Sequence, residues 1–132
     1  MKEDTPMSVA VVTQDNTNFT VNAQIVADQS TAYNLTAHAG GGQTSALPLT
    51  ATRSYIGAVA SANDSVALPL GVAGMSIQVD NEGANACQVF AANGSTDTIN
   101  GTAGSTGVSH PAATTKTYAC YKSAPGAVWT NR

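Results

Sequence analysis

The chain has 132 residues and a mass of 13.3 kDa, enough for one modest domain and a short extension. Only 10% of the residues are charged and Lys plus Arg number 5 at a net charge of -3, so no basic stripe exists to neutralise phosphates and nucleic-acid binding is not expected. Two cysteines exclude a disulfide scaffold, no apolar run approaches the roughly 20 residues of a membrane span, and the first residues lack the apolar stretch of a signal peptide.

Strand-like patterns begin near the N-terminus. Residues 8–12 form a weak candidate, and residues 19–25 alternate cleanly, with Phe19, Val21, Ala23 and Ile25 on one face and Thr20, Asn22 and Gln24 on the other. Gly40-Gly41-Gly42 then marks a joint, because consecutive glycines offer no side chain to pack. Beyond it, short strands are expected at 55–59 and at 65–68, the second stopped by Pro69. Residues 75–80 show the clearest alternation, with Met75, Ile77 and Val79 facing in. Asn81-Glu82-Gly83 supplies turn residues, and 86–91 reads as the antiparallel partner of that strand. Asn93-Gly94 and Asn100-Gly101 suit tight reversals around Thr98-Ile99, since both residue types tolerate φ > 0. Two last strands follow at 115–122 and 127–130, where Trp129, the single tryptophan, is the large core anchor.

The candidate chemical groups are sparse. His38 and His110 have no Cys, His or carboxylate at metal-ligand spacing, so no metal is expected. No Gly-x-Ser-x-Gly elbow occurs, and Gly40-Gly41-Gly42 lacks the Lys of a phosphate-cradling loop, which leaves no cofactor site and no catalytic residue to name. Asp80-Asn81-Glu82-Gly83 has the start of a calcium loop, but Ala91 stands where its bidentate Glu belongs, and Asp64 and Asp97 read as turn residues. Five Asn-x-Ser/Thr sequons, at Asn18, Asn34, Asn63, Asn93 and Asn100, read as uncharged polar surface. Cys87 and Cys120 are expected as reduced core thiols. Leu, Ile, Val and Phe number only 23, against 23 Ala and 17 Thr, and this thin private core predicts burial against other copies of the chain.

Several segments resemble tailed-bacteriophage virion proteins. They are Ala39-Gly40-Gly41-Gly42-Gln43, Ala62-Asn63-Asp64-Ser65-Val66-Ala67-Leu68-Pro69, Ala73-Gly74-Met75-Ser76-Ile77-Gln78-Val79, Asp80-Asn81-Glu82-Gly83-Ala84-Asn85, Val89-Phe90 and Thr98-Ile99-Asn100-Gly101, ending at Trp129. The likeness covers about two-thirds of the chain, residues 39–129, and departs from the pattern where Ala91 replaces a proline after Val-Phe. It implies a non-enzymatic capsid decoration or head-fibre protein, a homotrimer on the major capsid protein at the virion surface, made in the host cytoplasm. The fold expected is all-β, a small antiparallel sandwich or barrel of jelly-roll type at residues 44–132, preceded by an extended arm with a glycine hinge at 1–43. Phe19, Val21 and Ile25 are the candidate assembly interface, docking by strand addition. The alternative is a tail-fibre or appendage module that binds a host receptor or glycan, with Tyr118, Tyr121 and Trp129 as a sugar platform.

Overall fold

The computed structural model describes residues 30–132, so Phe19, Val21, Ile25 and the strands expected at 8–12 and 19–25 lie outside the described residues. Among the described residues every regular element is a strand: β1 (Thr31–Thr36), β2 (Leu47–Pro48), β3 (Arg53–Ala58), β4 (Ser65–Ala67), β5 (Ser76–Asn81), β6 (Cys87–Phe90), β7 (Thr98–Ile99), β8 (Thr102–Ala103), β9 (Val108–His110), β10 (Thr114–Lys122) and β11 (Val128–Asn131). They form a seven-stranded sheet ordered β1-β3-β5-β10-β11-β7-β8 and a four-stranded sheet ordered β2-β4-β6-β9. The all-β architecture expected from period-two alternation is present.

The pairing is mixed, not purely antiparallel. From β1 to β6 the chain changes sheet at every step, so β1, β3 and β5 run parallel in one sheet while β2, β4 and β6 run parallel in the other. Parallel neighbours need a long crossover. Here the crossover is itself a strand of the opposite sheet. The hairpin expected between 75–80 and 86–91 is therefore not formed: β5 pairs with β3 and β10, and β6 pairs with β4 and β9. The Asn81-Gly83 turn carries the chain from one sheet to the other instead of reversing it within one.

After β6 the pairings are antiparallel except that β7 runs parallel to β11. Asn100 (φ 53) and Gly101 (φ 79) both take positive φ in the two-residue turn joining β7 to β8, as its sequence predicts. Strand β9 closes the small sheet against β6, and β10 lies antiparallel to both β5 and β11.

One core fills the space between the sheets. Ile56, Ile77, Val79, Tyr118, Cys120 and Trp129 enter it from the large sheet, and Leu49, Val66, Leu68, Cys87 and Val89 from the small one, with Met75 packed at its margin. Cys120 sits opposite Trp129 in the ladder, and Gly71 lies against this pair. A Cβ at Gly71 would stand 2.4 Å from Ala127 Cβ and 2.9 Å from Cys120 Sγ, so only glycine fits. No helix of the described residues is long and apolar enough to cross a membrane.

The compact unit spans Thr31–Arg132, and the glycine run lies inside it. Gly40 N donates to Asp64 Oδ1 (3.2 Å), Gly40 O accepts from Ser65 Oγ (3.1 Å), and Gln43 Nε2 donates to the carbonyls of Ala91 and Ala92. This segment packs on the small sheet, where Ala46 joins Ala67 and Phe90 in a second apolar cluster.

Candidate functional site

Of the buried polar side chains, those of Asp64, Ser65, Asn81, Asp97 and His110 bond to the backbone. Asp97 accepts from Ala127 N (2.9 Å) and Gly71 N (3.2 Å), which pins the loop before β5 to the loop before β11. Asp64 accepts from the amides of Gly40, Ala60 and Ser61 and from Ser61 Oγ, and these bonds, that of Gly40 foremost, hold its carboxyl below the usual range. Asn81 accepts from Gly83 N at 2.9 Å and shares its amide hydrogens among the carbonyls of Asn85, His110 and Pro111. Both oxygens of each aspartate accept hydrogen bonds from backbone amides. Each does the work of a turn clamp.

His110 and Tyr118 form a buried pair. The Thr114 carbonyl, 3.0 Å from His110 Nε2, can only accept, so that nitrogen carries the proton and Nδ1 accepts from the Tyr118 hydroxyl at 2.9 Å. Burial pushes the imidazole pKa down and the phenol pKa up. Burial likewise raises the Cys87 thiol to about 11, and Cys87 and Cys120 are both free and buried, as inert thiols are. Among the described residues no three His, Cys, Asp or Glu side chains gather as a metal-binding group. Among the described residues, the buried Ser54 Oγ and Trp129 Nε1 have no hydrogen-bond partner.

The sugar platform expected from Tyr118, Tyr121 and Trp129 does not exist. Tyr118 and Trp129 are wholly buried, whereas Tyr121 is 59% exposed on the opposite face of the large sheet. Positions 118 and 121 lie an odd number apart along one strand, so a period of two sends them to opposite sides. Ile77 and Val79 of β5 and Trp129 of β11 enter the core, and Met75, just before β5, packs at its margin.

Sequence reasoning missed the outer face of the seven-stranded sheet. Tyr33 of β1, 67% exposed, stacks on Tyr55 of β3 with ring centroids 4.9 Å apart and planes 12° apart. The register continues this row through Asp80 and Thr115. The adjacent row runs Arg53, Gln78, Thr117 and then Arg132, whose backbone exchanges two hydrogen bonds with Thr117 (3.0 and 3.1 Å). Tyr121 lies along the same face, its hydroxyl 3.5 Å from Arg132 Nη1. Tyr33 and Tyr55 are distant in sequence, and no local pattern links them. They meet because β1 and β3 are parallel neighbours.

A second surface feature is an open groove of about 480 Å³ lined by Leu70, Gly94, Ser95, Thr96, Asp97, Ala124 and Pro125. Both oxygens of its one carboxylate, Asp97, already accept from buried amides. No protein-family model, no curated protein and no solved structure matches this chain.

Proposed function

We propose that the chain is a non-enzymatic virion structural protein of a tailed bacteriophage, a capsid decoration or head-fibre module held on the major capsid protein as a homotrimer. The observation that carries this reading is the use made of the buried polar groups. Asp64, Asp97, Asn81 and His110 each tie backbone segments together, so the polar chemistry of the interior is spent on holding one shape. The sequence likeness over residues 39–129 supports the same assignment, and a virion surface asks for persistence more than for reactivity.

Quantitative mass spectrometry of purified phage particles tests the assignment. The chain is expected at tens to hundreds of copies per particle, with head-bound label in immunogold images; its absence from particles would overturn the reading. Light scattering of the full chain is expected to give about three times its mass, and a stable monomer would remove the trimer from the proposal. Deletion of residues 1–29, which leaves β1 intact, is expected to release the protein from heads if Phe19, Val21 and Ile25 are the docking residues. Unchanged retention assigns docking to residues 30–132.

The rival reading, a tail-fibre or appendage module that binds a host receptor or glycan, has one observation in its favour: the tyrosine-bearing outer face of the large sheet.

A further inference from the structure

We infer that the outer face of the seven-stranded sheet is a binding site for an acidic oligosaccharide, a chain of pyranose rings bearing carboxylates, with Tyr33 as its stacking platform. The inference does not depend on where in a particle the chain sits.

The distribution of aromatic side chains gives the first support. The cores take Phe90, Tyr118 and Trp129. The other described aromatics, Tyr33, Tyr55 and Tyr121, all lie on the one solvent-facing side of the large sheet, although this thin core could use them. Tyr55 stacks on one side of Tyr33, whose ring is largely exposed on β1, the edge strand of the sheet among the described residues. A pyranose presents axial C–H groups that pack on such a ring, while its hydroxyls need planar polar partners beside it.

Those partners stand in the adjoining ladder positions. Asp80 follows Tyr55 in its row, and Arg53, Gln78, Thr117 and Arg132 form the next row across four strands. At about 4.8 Å per strand that row is roughly 14 Å long, the reach of a short oligosaccharide. Arg53 and Asp80 have no ion pair or side-chain hydrogen bond among the described residues, so both are free to serve a ligand. The side chains of the row include two guanidiniums and no carboxylate, and a guanidinium fork matches a carboxylate in a bidentate pair. This charge arrangement selects an acidic sugar over a neutral one.

Other occupants fit less well. A protein partner needs a contiguous apolar centre, and the outward positions in these two rows offer no aliphatic side chain beyond the methyls of threonine. Nucleic acid needs a larger cationic excess than two arginines beside Asp80 provide. Strand addition by a second copy meets obstacles on both exposed edges at the β1–β2 end. β1 carries a bulge with Asn34 at φ 55, and β2 contains Pro48.

The test is a glycan array of carboxylated and neutral oligosaccharides probed with the full chain, followed by titration of the best binder against Tyr33→Ser, Arg53→Gln and the unchanged protein. Expected is a preference for carboxylated chains, at least tenfold weaker binding in each variant, and weakening of the carboxylated but not the neutral binding at high salt. Circular dichroism and denaturation midpoints near those of the unchanged protein establish that the variants are folded. Absence of carboxylated glycans among the binders, or binding unaffected by Tyr33→Ser, overturns the inference. A change in oligomeric mass in Tyr33→Ser also overturns it, by showing that a second copy covers this face. None of these outcomes bears on copy number in particles, so the two proposals fail separately.

Discussion

The two sheets share one core yet differ in what lies behind them. In the four-stranded sheet, Ser65, Val66 and Ala67 of β4 are all buried, because residues 38–46 and Phe90 cover the side turned away from the core. In the seven-stranded sheet, β5 alternates between buried Ile77, Val79 and Asn81 and the more open Ser76, Gln78 and Asp80. A strand covered on both faces has no need of alternation, whereas one with a wet face must alternate. Among the described residues, asymmetric covering thus leaves the outer face of the seven-stranded sheet open, and it carries three tyrosines.

Breaking the shared core should produce the largest effect. Trp129→Ala removes the largest fully buried side chain and is expected to cost about 3–5 kcal/mol in urea-induced unfolding of the full chain. A loss below about 1 kcal/mol would mean that the two sheets do not depend on a common anchor.

Next is the covered back of the small sheet. Phe90→Ala is expected to cost about 3 kcal/mol, the lower end for such truncations, because its cluster is small. If that variant is as stable as the unchanged protein, residues 38–46 do not act as a packed second layer.

A smaller, pH-dependent term arises from His110. Its folded-state pKa lies below the ordinary value of about 6.5, so above that pH neither state binds the proton and stability is unaffected. As pH falls below about 6.5 the unfolded chain takes up a proton that the folded chain resists, and stability drops. His110→Gln is expected to flatten this slope in denaturation midpoints measured between pH 7.5 and pH 5.5, about one unit either side of the ordinary value. Asp64 acts in a separate window. Its depressed carboxyl contributes stability that is present above its ordinary value of 3.8 and lost as pH falls below it.

The smallest effect belongs to the bare face. Tyr55→Ser is expected to change stability by about 1 kcal/mol or less, since it removes a stacked surface pair and leaves the core intact. A cost equal to that of Phe90→Ala would show that the outer face is structural, and would remove the contrast between the sheets.

Much of the strand content was legible. Alternation at Ile77 and Val79, the stop at Pro69 and the turn at Asn100-Gly101 mark β5, β4 and the β7–β8 hairpin close to where they lie. Strand β1 escaped notice because its bulge at Tyr33 and Asn34 destroys the period of two. Strands β2, β8 and β9 are two or three residues long, too short to show any period. Of the candidate face, the sequence pattern points only to Tyr121. Its expected companions, Tyr118 and Trp129, point the other way.

By itself the sequence determined the all-β class, most strand positions and the inward set of Ile77, Val79 and Trp129, because alternation and turn chemistry are properties of neighbouring residues. Only the tertiary structure decided that successive strands belong to opposite sheets, that the glycine run covers a sheet, and that Tyr33 stacks on Tyr55. Each of these depends on contacts between residues far apart along the chain, and a local pattern carries no information about what will cover a face once the chain has folded.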